Sequence, residues 1–209
     1  MINQVTLSDA DFDDVEARFS QFHEAYTSFF HNRTKSVANP AKDYLHGQLF
    51  TKQQMNMVQY CREVPESEYE AMQHFISSSP WEDRQLLTQL QKDVYHLIGD
   101  PSDGALILDE SGIPKQGQMS VGVARQYCGR LGKVDNCQVG VYLGYANPQH
   151  ASLIDYRLYL PEAWIVDEAR RQKCGVPKDI LFQTKAQLGL EMIRAFKASR
   201  LPFGFLCMD

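Results

Sequence analysis

Apolar residues recur every three or four positions through the first hundred residues, then every second position in stretches of the remainder, so the periodicity changes near the middle of the chain. Phe12, Val15, Phe19, Phe22, Tyr26 and Phe29 make one stripe at helical spacing within residues 8–30. Ser8, with Asp11 three residues on, gives that segment a capping-box-like start. Such a stripe suits a core-facing or helix-pairing face rather than a ligand box. Residues 31–42, containing Asn39-Pro40, are expected to form a loop. Helical pieces are predicted at 51–62, 66–77 and 81–98, the last behind Pro80, whose missing N–H costs nothing at a helix start. Short helices joined by tight turns fit either a structural bundle or a helix-turn-helix reader of DNA.

Residues 99–104, dense in Gly, Asp, Ser and Pro, mark a boundary. Beyond it, Ala105 to Asp109 reads as a buried strand. Cys137, Val139, Val141 and Leu143 alternate with Gln138, Gly140 and Tyr142, and Ile154, Tyr156, Leu158 and Leu160 alternate with Asp155, Arg157 and Tyr159. Asn147-Pro148-Gln149-His150 supplies a hairpin turn between these two strands. A short helix is expected around Trp164 and a longer one over 178–199, with Leu181, Leu188, Met192 and Phe196 on one face. A last strand follows at 203–208. The predicted class is therefore α/β. A helical domain at 1–100 precedes a mixed sheet with crossover helices at 101–209, in the strand order of the opening half of an RNase H-like fold. A right-handed crossover would set the last strand parallel to the first.

Composition narrows the class without naming it. No apolar stretch approaches the roughly 18 residues that span a bilayer, and the N-terminus lacks the basic and apolar regions of a secretion signal. The five cysteines are scattered without a Cys-x-x-Cys pair, which reads as reduced thiols in a cytoplasmic protein. Net charge is −5, unevenly spread. Residues 1–104 carry 8 Lys and Arg against 16 Asp and Glu, while residues 105–209 carry 13 against 10. DNA binding leans on cations that neutralise phosphates, so the second part is the more favourable surface.

The candidate chemistry rests on two aspartates, Asp109 and Asp209, each following an apolar strand. Brought together at one sheet edge, they could hold Mg²⁺ (or Mn²⁺), and two such ions roughly 3.5–4 Å apart catalyse phosphodiester cleavage. The plainer reading is a strand cap and a terminal residue. Lys115, Arg125, Arg130 and Lys133 follow Asp109 in a segment read as a loop, either holding a DNA backbone or simply solvated. Gly112 and Gly117 lack the Gly-Lys-Ser/Thr ending of a phosphate loop. The six histidines show no ligand spacing. Trp81 and Trp164 read as core anchors, and Arg170, Arg171 and Lys173 as a solvated helix end rather than a nucleic-acid contact.

Several runs carry a resemblance. The stretch from Leu108-Asp109-Glu110-Ser111-Gly112 to Gly117, then Ser120-Val121-Gly122-Val123-Ala124-Arg125-Gln126-Tyr127 and Asn136-Cys137-Gln138-Val139-Gly140-Val141, strongly resembles bacterial insertion-sequence transposases of the DDE superfamily. Arg157-Leu158-Tyr159-Leu160-Pro161 with Trp164, and Phe182 with Thr184-Lys185, extend the likeness, which covers most of residues 40–209. The resemblance implies an RNase H-like catalytic domain behind a helical, DNA-binding region. It also implies metal-dependent cleavage and strand transfer at element ends, by an enzyme that is a homo-oligomer in full-length form and has no membrane. Asp109 carries over as the first catalytic and metal-binding aspartate, and Asp209 stands at the second position. A third acidic residue, expected further on, is not in this sequence, so a truncated chain of little or no activity is expected. The rival expectation is a non-catalytic transposase fragment that binds element ends or inhibits the full-length enzyme by pairing with it.

Overall fold

The computed structural model describes residues 9–31, 35–52, 55–79 and 81–208, with the side chains of residues 9–13 left aside. Ser8, Pro80 and Asp209 lie outside the described residues, as do the side chains of Asp11 and Phe12. The chain forms two compact units, Met1–Leu86 and Leu87–Asp209.

The first unit is helical. Helix α1 spans Asp9–Tyr26 and runs into a 3-10 turn, Thr27–Phe30; α2 (Ala38–Phe50), α3 (Met57–Glu63) and α4 (Tyr69–Ser78) follow, and α5 (Asp83–Ile98) begins there. The end of the expected loop at 31–42 is thus helix from Ala38 onward. Asn39 and Pro40 occupy the first turn of α2, where backbone N–H groups have no partner inside the helix and proline is tolerated. Thr51, Lys52, Met55 and Asn56, expected to be helical, precede α3, which starts where Asn56 Oδ1 accepts the N–H of Gln59. The predicted stripe of α1 is rotated as well. Phe19, His23, Tyr26 and Phe30 are the buried positions, whereas Phe22 is 49% exposed and Val15 also faces water. The core here is aromatic: Phe30 meets Phe75 and Trp81 edge-on at 5.7 Å, and Phe75 stacks on Trp81.

The second unit is a mixed sheet with helices. Its strands are β1 (Ala105–Pro114), β2 (Ala124–Cys128), β3 (Lys133–Ala146), β4 (Ala151–Leu158) and β5 (Phe205–Met208). Strand β3 is the spine. Its residues 140–146 pair antiparallel with both β1 and β4, so these two flank it, while β2 pairs with its first part. The turn into β4 is closed by Asn147, whose Oδ1 accepts the N–H groups of Gln149 and His150. Strand β5 lies parallel to β1, with Ala105 opposite Phe205 and Leu108 opposite Met208. Between β4 and β5 run α6 (Glu162–Val166), α7 (Glu168–Lys173) and α8 (Lys185–Ala198).

The core of this unit packs Leu106, Leu143, Tyr145 and Ile154 against Leu188, Met192 and Phe196 of α8 and Val94 of α5. Leu181, expected on the α8 face, lies before the helix and is 74% exposed. Thr184 and Gln187 form a reciprocal capping box that fixes the true start. Gly189 lets α8 approach β1 closely, since a Cβ there would lie 2.4 Å from Leu108 Cδ2. The expected alternation along β4 fails at a bulge. Leu143 pairs with Asp155 but Gly144 with Leu153, leaving Ile154 as the extra residue. Ile154 is therefore buried, while Leu153, Tyr156 and Leu158 are exposed.

Candidate active site

The run from Ala105 to Leu108 is apolar because β1 lies between β3 and β5 and buries alternate residues under α8. Leu106 and Leu108 point to α8, so alternation turns Ile107 and Asp109 to the opposite face. Asp109 is not at the end of its strand, as its place after the apolar run implied. It lies in the middle of a ten-residue strand, opposite Tyr142 on β3 and one step beyond the last β1–β5 pair. The strand continues because Glu110 to Pro114 keep pairing with residues 141 to 137.

Asp109 is exposed, and its Oδ1 accepts the N–H of Glu110 at 2.7 Å. An exposed carboxylate suits a hard cation such as Mg²⁺. Glu110, on the α8 face, is a neighbour that no sequence motif singled out. Its carboxylate takes the Lys185 ammonium at 2.7 Å, and that ammonium also lies 5.5 Å over the Tyr159 ring. A groove of about 620 Å³ opens here between β1 and α8, with Glu110, Lys185 and Met208 in its wall, and a smaller one of about 300 Å³ is lined by Asp109 with Ile107 and Tyr142. Among the described residues no group of three or more His, Cys, Asp or Glu side chains is placed to hold a metal ion. Asp109 is thus the one described carboxylate of the expected pair, and Asp209 lies outside the described residues.

The four basic candidates are not gathered around Asp109. Lys115 follows β1, Arg125 lies on β2 opposite Asn136, Arg130 sits in a 3-10 turn at Gly129–Leu131, and Lys133 opens β3. The segment read as a loop therefore contains a strand and a helical turn. At about 3.3 Å per residue, Asn136 lies ~20 Å and Lys133 ~30 Å along β3 from the Tyr142 position beside Asp109. Lys133 is already engaged: its ammonium holds Asp135 at 3.0 Å and keeps that carboxyl below the usual range, helped by the Asn136 N–H. Arg125 and Arg130 are exposed.

Between β1 and β2 the backbone is clamped from behind. Asn136 Nδ2 donates to the carbonyls of Lys115 (2.6 Å) and Gly117 (3.0 Å), Gln138 Nε2 to Val121 (2.6 Å), and Gln126 Nε2 to Gly122 (3.4 Å). Buried Trp164 donates from Nε1 to Val123 at 2.7 Å, and the Arg170 guanidinium lies 3.7 Å over its ring. Arg170 also donates to the Gln118 and Val123 carbonyls, and the Cys174 thiol to that of Met119. Gly122 allows the closing turn: φ is +82°, and a Cβ there would meet the Tyr159 carbonyl at 2.8 Å. Arg170 and Arg171 are therefore fasteners rather than a solvated helix end, Arg171 reaching the carbonyls of Ile165, Pro177 and Ile180. The partners of each lie outside their own helix, which helix-end composition does not reveal.

Comparisons with known proteins bear on the family. A family described as "DDE superfamily endonuclease" matches residues 25–209. A "Probable transposase for insertion sequence element IS701" from Microchaete diplosiphon is 31% identical over 197 residues, which is 90% of this chain and 47% of that protein. The chain thus spans about half the length of the curated relative it matches. No solved structure matches it. With a family match over most of its length and a mixed sheet that puts Asp109 beside the parallel β1–β5 pair, the chain belongs to the DDE endonuclease superfamily.

Proposed function

We propose that the protein acts as a DNA transposase, cutting and rejoining phosphodiesters at insertion-sequence ends, with Asp109 and Asp209 as its first two metal-binding carboxylates. The observation that carries this reading is the β1–β5 register. Leu108 stands opposite Met208, the last pair of the described β1–β5 register, and these two residues immediately precede Asp109 and Asp209 in the sequence. Bound divalent ions, Mg²⁺ or Mn²⁺, would supply Lewis-acid stabilisation and a more acidic attacking water or 3′-hydroxyl. Asp109 would hold them on the open face of the sheet, and the Glu110–Lys185 pair would fix β1 against the start of α8. Lys115, Arg125, Arg130 and Lys133 are the proposed phosphate contacts, with Lys133 the weakest because Asp135 already neutralises it. In this reading residues 1–100 form a helical, DNA-binding domain, residues 101–209 an RNase H-like catalytic portion, and the DNA partners are element ends and target, met by a homo-oligomer.

Manganese binding tests the site directly. Titration of the chain with Mn²⁺, followed by electron paramagnetic resonance, should show binding that Asp109→Asn weakens at least about tenfold. Equal binding by wild type and variant would remove Asp109 from the metal site. A non-catalytic role by pairing draws on one observation, the exposed Phe22 on α1. It requires that Phe22→Glu abolish association with a longer transposase while Asp109→Asn leaves function intact.

A further inference from the structure

We infer that the loop at residues 116–122 is a preformed seat for the phosphodiester backbone of DNA, built from main-chain N–H groups rather than from basic side chains; this rests on the transposase reading and adds a second point of attachment to it. Every carbonyl from residue 117 to residue 123 accepts a hydrogen bond from the protein: one from the Val123 N–H and the others from Asn136, Arg170, Cys174, Gln138, Gln126 and Trp164. The N–H groups of residues 116–122 behave oppositely. Among the described residues none of them donates to a protein acceptor, whereas Lys115 and Val123 on either side donate to Asn136 and Ser120. Residues 116–120 are all exposed.

A peptide loop with its carbonyls tied inward and its N–H groups unpaired presents the positive ends of successive dipoles to solvent along its exposed part, residues 116–120, while half-buried Val121 and buried Gly122 anchor its end. That is the arrangement by which backbone nests bind anions. The clamp also removes the ordering cost that a mobile loop would bear on binding. Arg125 is a cation on the neighbouring strand: exposed, it stands directly opposite Asn136, the residue whose side chain clamps the loop. A nearby cation beside several N–H donors suits one or two phosphates of a polyanion. Along β1 the loop begins ~20 Å from Asp109, or about six base-pair steps of a duplex. The seat would thus grip the DNA away from the cleaved bond, and its loss is separable from loss of the metal site.

The test is anisotropy of a labelled DNA duplex titrated with the chain at several salt concentrations. Gln118→Glu should weaken binding about tenfold and lower the slope of log K against log salt by about one for each phosphate no longer held. Gln118→Lys should tighten it. Gln149→Glu, an equal charge change at the exposed β3–β4 turn, should leave affinity unchanged within about twofold. Equal effects of Gln118→Glu and Gln149→Glu would overturn the seat and leave only general charge. Amide resonances of residues 116–122 give a direct readout and should shift with duplex. A shift with millimolar inorganic phosphate but none with duplex would overturn the DNA assignment, and no shift with either would overturn the seat. Asp109→Asn should retain duplex affinity while losing Mn²⁺ binding, so failure of the metal reading and failure of the loop reading are told apart.

Discussion

His23 shows how one residue type changes meaning with its surroundings. It occupies the buried face of α1 between Phe19 and Tyr26, and its Nε2 lies 2.9 Å from the Ala38 carbonyl, which the neutral ring can satisfy as a donor. Burial lowers its pKa below the ordinary 6.5, so the folded unit keeps it neutral where the unfolded chain protonates it. Its contribution to stability is fully present above pH 6.5 and is lost as pH falls through that value toward the folded pKa, because the unfolded state binds the extra proton. Asp43, whose carboxyl is raised by burial, works in the opposite sense: its contribution is present below 3.8 and fades as pH rises through its folded pKa. Replacing His23 with Gln keeps a donor for Ala38 and removes the titration. Urea midpoints of Trp81 fluorescence should then fall less between pH 7 and pH 5.5 than in the wild type. Parallel profiles for the two proteins would assign the acid sensitivity elsewhere. Neither His23 nor Arg170 could be read this way from spacing, since each finds its partner across the fold.

At the scale of elements, α8 depends on local chemistry that the sequence contains but that apolar periodicity does not reveal. Thr184 accepts from the Gln187 N–H and Gln187 returns the bond to the Thr184 N–H, so the helix starts at Lys185 rather than at 178. Thr184→Ala should cost about 1 kcal/mol, within the roughly 0.5–2 kcal/mol typical of lost caps. The loss should appear in the denaturation of the whole sheet unit, because Leu188, Met192 and Phe196 form much of its core. An unchanged midpoint would mean that tertiary packing alone sets this helix end. The strands were legible where their alternation was regular, as in β3. Strand β2 was hidden because Ala124-Arg125-Gln126-Tyr127-Cys128 is polar, and its one buried residue, Cys128, packs with Cys137 and Val139 of β3.

For the molecule as a whole, charge and exposed apolar surface matter most. No helix among the described residues is long and apolar enough to cross a membrane. Yet Phe205, Leu206 and Met208 of β5 are all exposed, Phe205 by 57%, on a short parallel strand of the kind normally covered on both faces. Such a strand invites pairing with another chain. Sedimentation equilibrium should show association at tens of micromolar that Phe205→Lys reduces at least about threefold, and no difference between the two proteins would show the strand to be covered in solution. The sequence by itself determined the α-to-α/β order, the place of the hairpin turn, the apolar run that leads to Asp109 and the family-specific runs, because these depend on nearest neighbours and short periods. Only the tertiary structure decided that Asp109 lies mid-strand beside Tyr142, that Ile154 bulges into the core, and that the loop after β1 turns its carbonyls inward. Those outcomes depend on partners well separated along the chain, whose register and side-chain hydrogen bonds no local pattern encodes.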